Sequence, residues 1–329
     1  MKAAIYTRYG PPDVVRVADV EKPVPRDGEV LLKVRAASVN PLDWHFVRGT
    51  PYLGRLAFGL LQPKDKQLGR DVAGKVEAVG SRVTLLKPGD EVFGVCRGAF
   101  AEFACAAESK LAIKPDQLTF EQAASVPIAG LTALQGLRDK GQVQPGQKVL
   151  INGAAGGVGT FAVQIAKWLG VDVTGVCSAR NVELVRSIGA DHVIDYARED
   201  FTTSGQRYDV ILDNVLNHSL SEYRRVLTSR GKYVSVGGGG TNQQGWIGPG
   251  LTRGIAALAL SRFVSQDLSF FMAKLNSKDL AIMSDLITTR KVTPVIDRTY
   301  KLSEVSEAIR YVEEGHARGK VVITLESDN

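Results

Sequence analysis

Residues 148–159 read Lys148-Val149-Leu150-Ile151-Asn152-Gly153-Ala154-Ala155-Gly156-Gly157-Val158-Gly159, and this stretch decides the fold. The apolar run Val149 to Ile151 is a short buried strand. It breaks into glycines at 153, 156 and 159 and passes directly into Val158, Phe161, Ala162, Ile165 and Leu169, apolar positions at helical spacing, with Gly170 as the stop. A strand, a glycine turn and an amphipathic helix in immediate succession form one half of a βαβ unit.

The Gly-x-x-Gly-x-x-Gly spacing is close to, though not identical with, the usual dinucleotide-binding fingerprint. Glycines let the backbone turn tightly and approach a pyrophosphate, and the helix start offers free N–H groups and its positive dipole end to the anion. The spacing therefore assigns Gly153, Ala155, Gly156, Gly157, Val158 and Gly159 to cofactor binding. A tight turn without a ligand is the plainer alternative.

Downstream, strands alternate with helical patterns: strands at Val171 to Cys177, His192 to Tyr196, Asp209 to Asp213 and Lys232 to Val236, with helices ending at Gly189 and spanning Ser219 to Thr228. This order predicts a doubly wound parallel sheet covered on both faces. The second strand bears on which dinucleotide binds. NAD binders place an acid there for the ribose 2′-hydroxyl, but this strand ends Cys177-Ser178-Ala179-Arg180-Asn181. Ser178, Arg180 and Asn181, with Tyr196 from the third strand, suit a 2′-phosphate, so NADPH is the expected cofactor. Arg180 as a solvated charge and Tyr196 as a sheet-edge aromatic are the alternatives. Val215 and Gly237, after the next two strands, stand at the carboxyl edge and complete the cofactor set.

Upstream, short strand-like runs (Val30 to Ala36, half-buried by its alternation; Val72 to Val79; Glu91 to Val95; Phe100 to Cys105; Lys110 to Ile113) are separated by turns such as Lys87-Pro88-Gly89-Asp90 and predict a barrel-like β domain. Tyr52 to Leu61 is an apolar, glycine-containing loop, read with Trp44, Trp246 and Ile247 as a substrate wall, with core or dimer contact equally open. Thr119-Phe120-Glu121-Gln122 is a capping-box signature, which places a boundary near residue 123. Beyond the parallel series, Gly254 to Leu260 reads as a short apolar helix, Asp267 to Met272 as a strand, and a helix runs from about Lys278 to Arg290. Two isolated strands, Pro294 to Thr299 and Lys320 to Leu325, flank an amphipathic helix, Val305 to Val312.

Composition sets the outer limits. The 329 residues are 44% hydrophobic and 23% charged, and 41 Lys plus Arg against 35 Asp plus Glu leave +6, ordinary for a two-domain globular chain. No basic run calls for nucleic acid, and no apolar stretch approaches the roughly 20 residues of a membrane span. Three separated cysteines without a Cys-x-x-Cys pair fit neither a disulfide framework nor a cysteine-rich zinc site, so a reducing, cytoplasmic setting is expected.

Several stretches then carry a resemblance: Ser38-Val39-Asn40-Pro41-Leu42-Asp43, Gly69-Arg70-Asp71-Val72-Ala73-Gly74, Pro88-Gly89-Asp90-Glu91-Val92, Gly130-Leu131-Thr132-Ala133-Leu134, Ala154 to Gly159 and Gly189-Ala190-Asp191. In this order and over essentially the whole chain, the sequence resembles the medium-chain dehydrogenase/reductase superfamily, in particular its quinone oxidoreductase and enone reductase branch. The resemblance implies a Rossmann domain, residues 124–289, inserted into a GroES-like β-barrel-type catalytic domain, residues 1–123 plus 290–329, and usually a homodimer, for which the edge strand near Asp267 to Met272 is a candidate interface. Zinc-dependent members carry Cys where this chain has Asn40 and Gly-His-Glu where it has Gly69-Arg70-Asp71, so no metal is expected. The resemblance further implies that Asn40, Asp43 and Thr132 lie beside the nicotinamide and substrate. His45 stands about where many relatives have a Tyr: it, or water, would deliver the proton, or its ring would merely face the cofactor. Turn, cap and helix-carbonyl roles are the alternatives for Asn40, Asp43 and Thr132. The expected activity is zinc-independent hydride transfer from NADPH to an α,β-unsaturated carbonyl or a quinone. The alternative is an NADPH-binding relative without turnover, acting as a crystallin-like, RNA-binding or scaffold protein.

Overall fold

The computed structural model describes residues 1–236, 249–260 and 264–325. Its strands are β1 (Lys2–Ile5), β2 (Arg16–Asp19), β3 (Glu29–Val39), β4 (Asp71–Val79), β5 (Glu91–Val95), β6 (Phe103–Ala107), β7 (Leu111–Ile113), β8 (Lys148–Asn152), β9 (Asp172–Cys177), β10 (His192–Asp195), β11 (Tyr208–Asp213), β12 (Leu227–Val236), β13 (Asp267–Phe271), β14 (Ile296–Lys301) and β15 (Lys320–Thr324). The helices are α1 (Pro41–Arg48), α2 (Arg55–Phe58), α3 (Phe120–Ala124), α4 (Pro127–Gln135), α5 (Gly157–Trp168), α6 (Val182–Ser187), α7 (Leu220–Arg225), α8 (Pro249–Leu260), α9 (Ser277–Thr288) and α10 (Val305–Glu313).

The chain divides into two units. The first comprises Met1–Leu131, Leu275–Arg290 and Pro294–Asn329, the second Thr132–Lys274 and Lys291–Thr293. The first break falls inside α4, later than residue 123, because Ile128 in the first turn of α4 is tied to Asp71 of β4. The return falls before α9, earlier than residue 290, because α9 packs on β7.

The first unit is the GroES-like half. Its main sheet runs β14-β15-β3-β4-β5-β7, with β6 also paired to β3. The alternation in β3 predicts a half-buried strand, yet of its residues only Lys33 is exposed. Three strands pair with β3 along its length and α3 packs on it, so its second face is covered and the alternation carries no solvent side. Val30, Leu32, Val34, Val72, Val92 and Phe100 form the centre of its core. The capping box at Thr119 is made: Gln122 N–H donates to Thr119 Oγ1 at 3.2 Å, and Thr119 N–H to Gln122 Oε1 at 3.0 Å.

The second unit holds a six-stranded parallel sheet in the order β10-β9-β8-β11-β12-β13. Counted within the unit this is the doubly wound order 3-2-1-4-5-6, with the topological switch between β8 and β11. Its core lies around Leu150, Val176, Ile211, Tyr223 and Tyr233. Strand β12 begins at Leu227, earlier than Lys232, and α7 ends at Arg225, so the helix expected to reach Thr228 gives up its last turn to the sheet.

Candidate active site

In the second unit, the carboxyl edge of the sheet is shaped by its glycines. Gly153 has φ +79°, and its N–H and that of Ala154 both donate to Val176 O, at 3.2 and 3.0 Å, which fastens the turn after β8 to β9. A Cβ on Gly159 would stand 2.1 Å from Gly153 O; that glycine lets α5 start against the turn. Gly156 differs. A Cβ there would meet only Gly153 O, at 3.5 Å, so the protein leaves the space over Gly156 open. Gly156 is the N-cap of α5, whose first-turn N–H groups have no acceptor within the helix.

At the end of β9, Asn181 Nδ2 donates to Ser178 Oγ at 3.1 Å, which leaves the Ser178 hydroxyl proton available to a further acceptor. Ser178 is half-buried, Arg180 exposed and Tyr196, after β10, 61% exposed. Beneath β8 and β11 lies a polar network that sequence reasoning missed. Asp213 is fully buried and accepts Asn152 Nδ2 at 2.9 Å, Tyr233 OH at 2.7 Å, and the N–H groups of Val215 and Leu216 at 3.1 and 3.0 Å. These bonds hold the loop after β11 with Leu216 at φ +62°, a left-handed conformation that costs a non-glycine residue about 1–2 kcal/mol. The buried oxygens Asn181 Oδ1 and Asn214 Oδ1 have no hydrogen-bond partner among the described residues.

The open ground at Gly156, the unsatisfied helix start and the two orphaned amide oxygens, all at the carboxyl ends of β8, β9 and β11, fit a dinucleotide. Gly153, Ala155, Gly156, Gly157, Val158, Gly159, Ser178, Arg180, Asn181, Tyr196 and Val215 all stand on this edge. Gly237, Trp246 and Ile247 lie outside the described residues. Thr132 is in this unit as well, buried in α4.

The first unit holds the other polar cluster. Asn40 closes β3 in an extended conformation (φ −123°, ψ 157°), as the following Pro41 requires, and is the N-cap of α1. Its backbone N–H donates to Asp43 Oδ2 at 2.8 Å, and Asp43 Oδ1 accepts Gly69 N–H at 3.2 Å. The Asn40 side chain does not cap the helix. Its Nδ2 donates to Asp71 Oδ2 at 3.0 Å and Ser38 O at 3.3 Å, while its Oδ1 accepts from Lys320 Nζ at 2.7 Å. Asp71, fully buried, also accepts Ser38 Oγ at 2.9 Å and Ile128 N–H at 3.0 Å, with Lys320 Nζ at 3.4 Å. Hydrogen bonds to a charged group contribute about 1.5–3 kcal/mol each. Several together offset the desolvation of a few kcal/mol per buried ion.

Burial pushes the Asp43 carboxyl up to about 7, against the Asn40 N–H that favours its charged form. Burial also draws the Lys320 ammonium down, opposed by Asp71. His45 stacks on Trp44 with ring centroids 3.6 Å apart, and its Nδ1 lies 3.5 Å from Thr50 Oγ1. Burial pushes its pKa down to about 4, so at neutral pH the ring is uncharged: a hydrogen-bonding group rather than an imidazolium acid. The loop after α1 is pinned by Arg55, whose Nε and Nη2 donate to Gly49 O and Arg48 O at 2.9 and 3.1 Å. It nevertheless holds Leu53, Leu56, Phe58, Leu60 and Leu61 in the open, Leu61 at 89% exposure, so these side chains are not core. Trp44 is core.

Ser38, Asp71 and Lys320 were not singled out by sequence. The available signal at the last is a lone charged residue opening the apolar strand Lys320-Val321-Val322-Ile323. Among the described residues no group of three or more His, Cys, Asp or Glu is placed to hold a metal ion, and no helix is long and apolar enough to cross a membrane.

A GroES-like unit joined to a nicotinamide-type Rossmann unit defines the class: a medium-chain dehydrogenase/reductase. Comparison with known proteins agrees. The family described as zinc-binding dehydrogenase matches residues 188–323, and the alcohol dehydrogenase GroES-like domain matches residues 26–116. Mouse mitochondrial NAD(P)H oxidoreductase RTN4IP1 is 37% identical over 99% of this chain and 89% of its own length. The chloroplastic NADPH-dependent alkenal/one oxidoreductase of Arabidopsis thaliana is 33% identical over 98% of this chain and 79% of its own. The quinone oxidoreductase structure from Coxiella burnetii superposes with a TM-score of 0.87 at 32% identity, covering 99% of each chain. The chain belongs to the medium-chain dehydrogenase/reductase superfamily, in its zinc-independent quinone oxidoreductase branch, and is an oxidoreductase of the nicotinamide-dependent kind.

Proposed function

We propose that the protein transfers hydride from NADPH to an α,β-unsaturated carbonyl or a quinone. The observation that carries the cofactor choice is the end of β9, where Ser178 and Arg180 replace a carboxylate and favour a 2′-phosphate. The nicotinamide supplies the hydride. The glycine turn and the α5 start would hold the cofactor's pyrophosphate, and Val215 and Tyr196 are the further residues that would contact the cofactor.

The polar groups assigned to catalysis are Asn40, Asp43 and His45 in the first unit and Thr132 in the second. Asn40, where zinc-dependent relatives place a cysteine ligand, is a neutral amide held by Asp71, Ser38 and Lys320, and it presents a fixed amide dipole to the acceptor. Such a set suits a conjugated acceptor, whose developing enolate needs hydrogen bonds rather than a Lewis acid. Neutral His45 and Thr132 supply hydrogen bonds, and water is the ultimate proton source. Burial pushes Cys96 to about 12 and Cys105 and Cys177 to about 11, so no thiol is primed as a nucleophile. The three free thiols fit a reducing, cytoplasmic compartment. The sheet-edge strand β13 is the candidate seam of a homodimer.

The test is NADPH oxidation against a panel of enones, enals and quinones. Turnover with at least one member is expected. A chain that binds NADPH and oxidises it with none of them belongs to the binding or scaffold reading instead.

A further inference from the structure

Lys320 lies outside every role assigned so far, yet it is one of the most deeply buried charges in the first unit. It opens β15, where its backbone N–H donates to Val295 O at 2.9 Å, and its side chain is 4% exposed. Its ammonium meets Asn40 Oδ1 at 2.7 Å and Asp71 Oδ2 at 3.4 Å. A buried ion pair is a weak device for stability, because well-packed apolar groups of the same volume serve as well or better. Its retention here calls for another account, which the geometry of the amide supplies.

An asparagine side chain has two orientations of almost identical shape, with oxygen and nitrogen exchanged, and only its partners decide between them. An ammonium can only donate, and an ionised carboxylate can only accept. Asn40 has one on each side: Lys320 at its oxygen, Asp71 at its nitrogen. A half-turn of the amide would press NH₂ against the ammonium and oxygen against the carboxylate. All three side-chain hydrogen bonds, the one to Ser38 O included, would be lost, and the contacts with the two charges made repulsive. Apolar replacements would preserve the packing and lose this discrimination.

We propose that Lys320 is a positioning residue: with Asp71 it locks the Asn40 amide in a single orientation, so that Asn40 presents one fixed dipole to the reacting groups. The inference rests on the placement of Asn40 beside the substrate given above. It assigns the lock to charges on β15 and β4, remote in sequence from the residue they hold.

The test uses the full-length protein and the double substitution Lys320→Met with Asp71→Asn, which removes both charges together and so avoids leaving one buried ion unpaired. The first readout is independent of activity. In protein labelled with 15N at asparagine, the Asn40 side-chain amide is identified by its loss in Asn40→Ala. It is expected to exchange with solvent at least 10-fold faster, or to split into two populations, in the double variant. The second readout is kinetic. The kcat is expected to fall at least 10-fold while the NADPH Kd, read by fluorescence titration, stays within about twofold. Adding the same pair to Asn40→Ala should cost little further kcat, whereas a purely structural role would lower it again. An unchanged Asn40 amide signal overturns the proposal, as does additive loss of kcat. Should the parent protein turn over no acceptor, the functional reading fails and the amide signal alone decides on Lys320.

Discussion

Arg180→Ala isolates the cofactor assignment in one side chain. Two unit charges about 4 Å apart interact by about 1 kcal/mol at the dielectric of water and about 4 kcal/mol at an effective value of 20. Arg180 is exposed, following a half-buried Ser178, so its contact with a 2′-phosphate belongs near the lower figure; the phosphate's charge of nearly two raises it to about 1–2 kcal/mol. That corresponds to a roughly 5- to 30-fold weaker Kd for NADPH, with NADH unaffected. Ser178→Ala should add about 1 kcal/mol, the worth of one ordinary hydrogen bond, since Asn181 already donates to its oxygen and leaves its proton for the ligand. The assay is nicotinamide fluorescence titration of parent, single and double variants with both cofactors, at low and at high salt. Screening should shrink the Arg180 effect at high salt. Equal losses for NADPH and NADH, or a parent that binds both alike, would refute the reasoning.

The remaining expectations concern stability. Gly159→Ala drives a Cβ into backbone 2.1 Å away, and no side chain can swing aside to relieve it. The thermal midpoint of the second unit should fall by the equivalent of about 3 kcal/mol, with NADPH binding lost; a midpoint within a degree of the parent would show that the turn is more pliant than it looks. His45 has its folded-state pKa lowered from 6.5 to about 4, so the unfolded chain binds the proton better. Its contribution is complete above about pH 6.5 and is lost as pH falls toward 4, by roughly 3 kcal/mol at most. Asp43 runs the other way: raised from 3.8 to about 7, it contributes fully below about pH 4 and loses up to roughly 4 kcal/mol as pH rises through 7. Between about pH 4 and 6.5 the two slopes oppose each other, so the parent's urea midpoints should stay nearly level there; His45→Gln should leave midpoints that fall with rising pH, and Asp43→Asn midpoints that rise. A profile for either variant parallel to the parent's would mean that the residue does not titrate in that window.

The second unit was the more legible half. A glycine turn, strands at regular intervals and a missing acid at one strand end are local signals, and the doubly wound order follows from them. What escaped was non-local. The alternation in β3 misled because its outer face is covered by elements drawn from elsewhere in the chain. The break inside α4 and the assignment of α9 follow from contacts with β4 and β7 that no local pattern announces. Asn40 and Asp43 were found by resemblance, but their partners were not. Asp71 enters only within the Gly69-Arg70-Asp71 motif, and Lys320 only as the first residue of a strand; nothing local shows that the fold brings both against residues 38–40. Asp213 likewise reads as one more strand end until Asn152, Tyr233 and the Leu216 loop converge on it.

The span between Asp71 and Lys320 also sets a timetable for biosynthesis. The two partners are 249 residues apart in the chain. At about 5–20 residues per second of translation, the carboxylate emerges about 12–50 seconds before the lysine that will face it exists. In that interval Thr132–Lys274 is synthesised as one continuous run, which can close its sheet on the ribosome, while the earlier-made unit lacks β14 and β15. The part of the protein made first is thus the part completed last. Protease digestion of ribosome-held chains stalled short of residue 294 should find the Rossmann sheet resistant and residues 1–131 still cut; equal resistance of both would contradict that order.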